Sequence, residues 1–228
     1  LRYFFHIAYQ GQQYKGWQRQ PQVHSIQEVL ENTLAKILKK PMTIYGCGRT
    51  DAHVHASQYY FHADIDHQGD FDLKYRLNKA LPPDIALYDI IPVGPKAHAR
   101  FDAVQRQYDY FIHTYKDPFL STQSSLYQYT DLDLSKMKEA ASLLLKYDDY
   151  RAFCTQPDKN EHTICRVSDA VLMTNAAGDR IRFHIASNRF LGKMIRIITG
   201  KLLKIGTAKM SIDEFEYHLQ SREIPKML

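Results

Sequence analysis

MTIYGCGRTDAHVHASQYYFHA, Met42 to Ala63, is the stretch on which the reading of the chain turns. Its two ends, MTIYGC and SQYYFHA, are short and rich in β-branched and aromatic residues, and they read as strands. The middle, GCGRTDAHVHA from Gly46 to Ala56, has two glycines, an arginine, one carboxylate and two histidines with little apolar bulk. It reads as a loop. Two strands therefore follow one another here with no helix between them.

On the N-terminal side a helix opens at Ser25, whose spacing to Glu28 is that of a capping box. Ile26, Val29, Leu30, Leu34, Ile37 and Leu38 share one face of it, and Pro41 stands just beyond. Before it come a strand, RYFFHIAY from Arg2 to Tyr9, and the loop GQQYKGWQRQPQ, where Trp17 is assigned to packing. On the C-terminal side a short helix over Asp72–Ala80 presents Leu73, Leu77 and Ala80. Pro82 and Pro83 end it, and IALYDII, Ile85–Ile91, is the next strand. The order β-α-β-β-α-β is that of the ferredoxin-like split motif.

PVGPKAH, residues 92–98, reads as a linker. Beyond it the pattern starts again. RQYDYFIHTY is a strand, and Ser135–Lys146 a helix burying Met137, Ala140, Ala141, Leu144 and Leu145. VSDAVLMT and RIRFHIAS form a hairpin across NAAGD. A helix runs from about Arg189 to Ile205, and another opens at Ser211. A closing strand matching Ile85–Ile91 is expected after it and is not read. The chain is thus an α+β protein of two similar halves, 1–97 and 98–228.

A length of 228 residues suffices for a sizeable core. No run is long and apolar enough to span a bilayer, and LRYFFHIAY lacks the marks of a signal peptide. Cys47, Cys154 and Cys165 are scattered, without a CxxC pair, which argues against a disulfide framework or zinc knuckle and fits a reducing cytoplasm. The net charge is only +5, but Arg180 to Met210 holds eight Lys or Arg and no Asp or Glu. Such a block is either a phosphate-facing surface or a solvated face. On its helix Lys193, Arg196, Gly200 and Lys204 fall opposite Leu191, Ile195, Ile198, Leu202 and Ile205, and Gly200 admits close approach of a ligand or backbone.

In the polar loop, Asp51 is either a turn former or a working carboxylate. Arg49, two residues earlier, supplies a cation for it or for a phosphate. His53 and His55, with His62 nearby, suggest metal ligands, but no third ligand stands at a convincing spacing, and hydrogen-bonding or RNA-contact roles fit them better.

GRTDAHVHA resembles the GRTDxGVHA signature of the tRNA pseudouridine synthase A family. YQGQQYKGWQRQ (Tyr9–Gln20) resembles its YDGxxYxGWQxQ segment, and HSIQEVLE resembles the helix that follows. LPPDIAL is similar to LPxDIxV, and HARFDAVQRQYDYFI (His98–Ile112) to HARFxAxxRxYxYxI. FLGKMIRIITGKLLKIG (Phe190–Gly206) resembles FLxxMVRxIVGxLxxVG. These blocks keep the family's order along nearly the whole chain.

The resemblance implies a pseudouridine synthase fold: two ferredoxin-like halves joined around a largely antiparallel mixed sheet with helices packed on it. It implies isomerisation of uridine to pseudouridine in the anticodon stem-loop region of tRNA, without metal or organic cofactor. Asp51 would be the nucleophile. Tyr108 would stack near the uracil, and Arg196 would pair with Asp51. Arg49, Thr50, His55, Arg106 and Lys193 would contact the substrate. A homodimer holding tRNA across two subunits is expected, with no membrane partner. A non-catalytic tRNA-binding relative that remodels RNA stays open as the alternative, as does a metal hydrolase using the histidines. His53 stands where the signature has glycine, so a positive φ there would carry a cost.

Overall fold

The computed structural model describes residues 1–66, 71–129 and 131–221, and the chain divides into two units, Leu1–Ala103 and Val104–Leu228. The first unit runs β1 (Arg2–Tyr9), α1 (Ile26–Leu38), β2 (Tyr45–Gly46), β3 (Ala56–Asp64), α2 (Leu73–Ala80) and β4 (Ile85–Val93). Its antiparallel sheet has the order β2-β3-β1-β4, the arrangement a split β-α-β pattern produces. One face of the central strands is buried: Phe5, Ile7 and Phe61 pack with Ile26, Leu30 and Leu34 of α1. Phe5 and Phe61 stack with centroids 4.6 Å apart. Burying each such side chain contributes about 1.5–3 kcal/mol.

α1 begins where expected, with the Glu28 N–H donating to Ser25 Oγ at 3.3 Å, and it ends at Lys39 in the left-handed region, φ 57°. β2 is shorter than the expected Met42–Cys47. The cause is a polar bridge from α1. The Ile44 N–H donates to Glu31 Oε1 at 3.2 Å, and the Ile44 carbonyl accepts from Gln27 Nε2 at 3.2 Å. Backbone groups that would extend the ladder are spent on the helix instead. Residues 97–101 fold against this unit. The Arg2 guanidinium donates to the Ala97 carbonyl at 3.0 Å, and the Ala99 N–H donates to buried His62 Nδ1 at 3.2 Å. Burial, then the neighbouring His98 and Arg2, lower the His62 pKa, which suits a ring nitrogen that accepts.

The second unit runs β5 (Arg106–His113), β6 (Ser125–Leu126), α3 (Leu134–Leu143), β7 (Val167–Thr174), β8 (Arg180–Ser187), α4 (Met194–Gly206) and α5 (Ile212–Gln220). Its sheet order is β6-β5-β8-β7. Strands β5, β8 and β7 repeat the antiparallel pattern of β1, β3 and β2. The edge beside β5 is taken by β6, which pairs parallel and had no sequence signal beyond two residues of strand. The expected closing strand would fall after α5 on residues 222–228, outside the described residues. The hairpin across Asn175–Asp179 forms as read, with Gly178 at φ 74°.

Two helix boundaries differ from expectation. α3 tightens into a 3-10 turn over Leu144–Lys146, and the changed period leaves Leu145 exposed while Leu144 stays buried. α4 starts at Met194 rather than near Arg189, because Lys193 takes a left-handed conformation, φ 60°, at its N-cap. α5 starts at its expected cap, the Glu214 N–H donating to Ser211 Oγ at 3.0 Å.

Within α4, Lys201 is buried between helices. Its Nζ lies 2.8 Å from His218 Nδ1 on α5 and 5.2 Å from the centre of the Phe153 ring. Burial, reinforced by Lys204 and opposed by Glu214, pulls its pKa down to about 8 from 10.5. Below about pH 8 the folded and unfolded chains both carry this charge, so folding bears its full desolvation. Between 8 and 10.5 the unfolded chain holds the proton more tightly, and stability from this group rises with pH.

The loop between β2 and β3 also carries a local cost. His53 sits at φ 66°, the region glycine favours, and its Nδ1 donates to the Gln12 carbonyl at 2.8 Å.

Two outcomes follow from this packing. Lys201→Met, which keeps the buried stem and removes the charge, raises the thermal unfolding midpoint at neutral pH. Its advantage shrinks as the pH is raised from 8 towards 10.5. His53→Val places a β-branched residue in the left-handed region and removes the ring hydrogen bond. It destabilises the first unit by about 1–2 kcal/mol, read by urea unfolding with Trp17, the single tryptophan, as the fluorescent probe.

Candidate functional site

In the first unit the loop from Gly46 to Ala56 is held by the segment from Tyr9 to Trp17. The Trp17 N–H donates to the Thr50 carbonyl at 3.1 Å, and the His53 N–H donates to the Tyr14 carbonyl at 3.2 Å. The Gly11 N–H donates to His55 Nδ1 at 3.2 Å, and the Tyr9 and Thr50 hydroxyls are 2.9 Å apart. Contact this close requires glycine. A side chain at Gly11 would collide with the Val54 carbonyl, and one at Gly16, φ +98°, would stand 2.5 Å from the Thr50 carbonyl oxygen. From below, Tyr59 donates its hydroxyl to the Gly48 carbonyl at 2.6 Å and packs 4.2 Å from Trp17. Trp17 is buried, as packing predicted.

On this fixed backbone Arg49 and Asp51 are exposed, and Thr50 and His55 are half-buried. The Val54 N–H donates to the Asp51 carbonyl at 3.3 Å, closing a turn that leaves the Asp51 side chain facing outward. A carboxylate presented in this way is placed by the chain and available to a ligand. His53, His55 and His62 each commit Nδ1 to a backbone group. Among the described residues no three His, Cys, Asp or Glu side chains gather to hold a metal ion.

In the second unit Arg106 and Tyr108 lie on β5, Tyr108 opposite Ile185 of β8. The Tyr108 ring is half-buried and meets Phe190 edge to face, 5.1 Å between centroids. Arg106 donates from Nη1 to the Asn188 carbonyl at 2.8 Å. Tyr110, two residues along β5 and therefore on the same face, accepts from Ser125 Oγ at 3.1 Å. Tyr127 joins this cluster. Burial, then its hydrogen bond with Tyr110, pushes its phenol up to about 12, and the nearby Arg196 charge works in the opposite direction. Tyr110 and Tyr127 escaped the sequence reading. The alternation along β5 points to the first, but only tertiary packing brings in the second.

The eight cations of the basic block do not act alike. Arg180 and Arg182 pair with Asp117 and Asp109 at 3.6 and 2.7 Å, and Lys201 is buried. Lys193, Arg196, Lys204 and Lys209 are exposed. Gly200 lies on the cationic side of α4, and among the described residues a Cβ there would meet nothing within 4 Å beyond its chain neighbours and its own helix backbone.

Taken unit by unit, the chain presents a placed carboxylate beside an arginine, a half-buried tyrosine in an aromatic setting, and a helix edged with exposed cations. No described helix is long and apolar enough to cross a membrane. Residues 140–227 match the family model described as tRNA pseudouridine synthase. The chain is 40% identical over 225 residues to the tRNA pseudouridine synthase A of Porphyromonas gingivalis, covering 97% of this chain and 89% of that one. To the protein of the same name from Bacteroides fragilis it is 42% identical over 216 residues, covering 94% and 85%. To that from Exiguobacterium sibiricum it is 32% identical over 218 residues, covering 95% and 86%. The similarity therefore spans both units and takes in the loop, β5 and α4 alike, and the chain belongs to the tRNA pseudouridine synthase A family.

Proposed function

We propose that this chain isomerises uridine to pseudouridine in tRNA, acting on the anticodon stem-loop, with Asp51 as the nucleophile. The observation that carries the reading is the Asp51 loop itself: an outward carboxylate on a backbone pinned at Thr50, Asp51, His53 and Val54. Family membership supplies the substrate class.

The reaction replaces the N1–C1′ bond of the nucleoside by a C5–C1′ bond. The proton on C5 leaves and N1 gains one, so the atoms balance with no oxidant or co-reactant. The carboxylate serves by attacking the ribose carbon or the base, in either case making a transient covalent link that lets the uracil turn. Tyr108 is assigned to stack near the uracil and to assist loss of the C5 proton. Arg196 is assigned as the cation that offsets the carboxylate and the phosphates. Arg49, Arg106 and Lys193 are assigned to the RNA backbone, with Thr50 and His55 contributing from the loop.

A stem uridine must be unstacked and turned out, at a cost of a few kcal/mol, and contacts from exposed cations offset it. The two units, 1–97 and 98–228 in the sequence reading, supply the loop and the cationic helix respectively. We further propose a homodimer that works in the cytoplasm and holds each tRNA across two subunits.

Asp51→Asn keeps the loop's backbone contacts and removes the nucleophile. It leaves tRNA affinity within about threefold of wild type and abolishes pseudouridine formation, measured by filter binding and by mapping modified positions on an unmodified transcript. Full product yield from this variant contradicts the assignment. Gly200→Ala raises stability by about 0.5–1 kcal/mol, as alanine does inside a helix. It also weakens tRNA binding if RNA approaches the cationic side of α4. Unchanged binding moves the RNA elsewhere.

A further inference from the structure

We infer that Tyr9 is a positioning residue for the reaction, acting through Thr50 on the orientation of Asp51; this rests on Asp51 being the nucleophile. Tyr9 is the last residue of β1, only 3% exposed, and its hydroxyl lies 2.9 Å from Thr50 Oγ1. Its ring is fixed by two neighbours, Tyr59 at 5.6 Å edge to face and Trp17 at 6.4 Å. A phenol buried this deeply has one rotamer well, so the hydroxyl is a fixed point in the core.

Thr50 is held from two sides. Tyr9 takes its side chain, and the Trp17 N–H takes its carbonyl at 3.1 Å. The bare backbone of Gly16 closes the space beside that carbonyl, where a Cβ would stand 2.5 Å away. The next residue is Asp51, whose own side chain is exposed. The direction in which its carboxylate leaves the backbone is therefore inherited from the peptide plane that Thr50 sets. Small misplacements of a nucleophile carry large rate losses, because attack requires aligned orbitals at short range. Binding of the RNA relies on cations spread over the surface and is insensitive to such a tilt.

The test compares Tyr9→Phe, Thr50→Val, the double variant and Asp51→Asn under single-turnover conditions with an unmodified tRNA transcript. Tyr9→Phe keeps the ring and the packing. The expected result is a loss of roughly tenfold in the rate of the chemical step, with tRNA affinity within about twofold and the unfolding midpoint close to wild type. The double variant is expected to be no slower than the slower single, since both changes break one link. A wild-type rate for Tyr9→Phe, losses that multiply in the double variant, or a loss confined to affinity overturns the inference. If Asp51→Asn is inactive while Tyr9→Phe is fully active, only the positioning role fails. If Asp51→Asn turns over normally, the nucleophile assignment fails and this inference with it.

Discussion

The backbone of Thr50, gripped at its carbonyl by the Trp17 N–H and crowded by the bare Gly16, is the constraint on which the rest depends. A loop as polar as GCGRTDAHVHA has too little apolar surface to fix itself by burial. It borrows order from the segment after β1 through backbone hydrogen bonds at Thr50 and His53 and through the His55 ring, which accepts from the Gly11 N–H. Those bonds form only because Gly11 and Gly16 let the two backbones approach without side chains between them, while Gly46 leaves room for the Tyr59 and Trp17 side chains. The ferredoxin-like arrangement has a direct consequence here. It sets β1 beside β3, which brings the exit of one strand and the entry of the other to the same end of the sheet. Loop and clamp meet because the sheet order makes them neighbours.

Most of the fold was legible in the sequence because its signals are local. The Ser25 and Ser211 caps, the apolar stripe of α1 and the NAAGD turn each depend on a few adjacent residues, and each formed as read. The failures arose where a distant group intervened. β2 is two residues rather than the expected six because Glu31 and Gln27 of α1 captured the Ile44 backbone. β6 formed because an otherwise irregular segment found an open edge on β5, and no periodicity announces such a strand. The start of α4 moved because Lys193 adopted a left-handed conformation, which its side chain does not foretell.

The candidate site was legible in a different way. The residue types of the loop pointed to Asp51 and Arg49, and the family's motifs pointed to Tyr108 and Arg196. What the sequence did not disclose is the work that fixes them. Trp17 read as a packing residue and Tyr9 and Tyr59 only as strand residues; all three are buried, and the two tyrosines also spend a hydroxyl on the loop. His53 showed a departure from the family signature, and its φ of 66° gives that departure a physical content. The histidine bears the strain of a glycine position and recovers part of it through the Gln12 carbonyl. The basic block likewise needed the fold for its sorting. Arg180 and Arg182 are engaged in surface ion pairs, Lys201 is buried, and Lys193, Arg196, Lys204 and Lys209 remain outward.

The chemistry proposed for this scaffold has one unavoidable signature: hydrogen must leave C5 of the target uridine while the RNA keeps its composition. The most direct measurement is therefore tritium release from an unmodified tRNA transcript made with uridine tritiated at C5. The account predicts time-dependent release of tritium into water by the purified chain alone, with the mass of the tRNA otherwise unchanged. Saturable tRNA binding with no tritium released would contradict it.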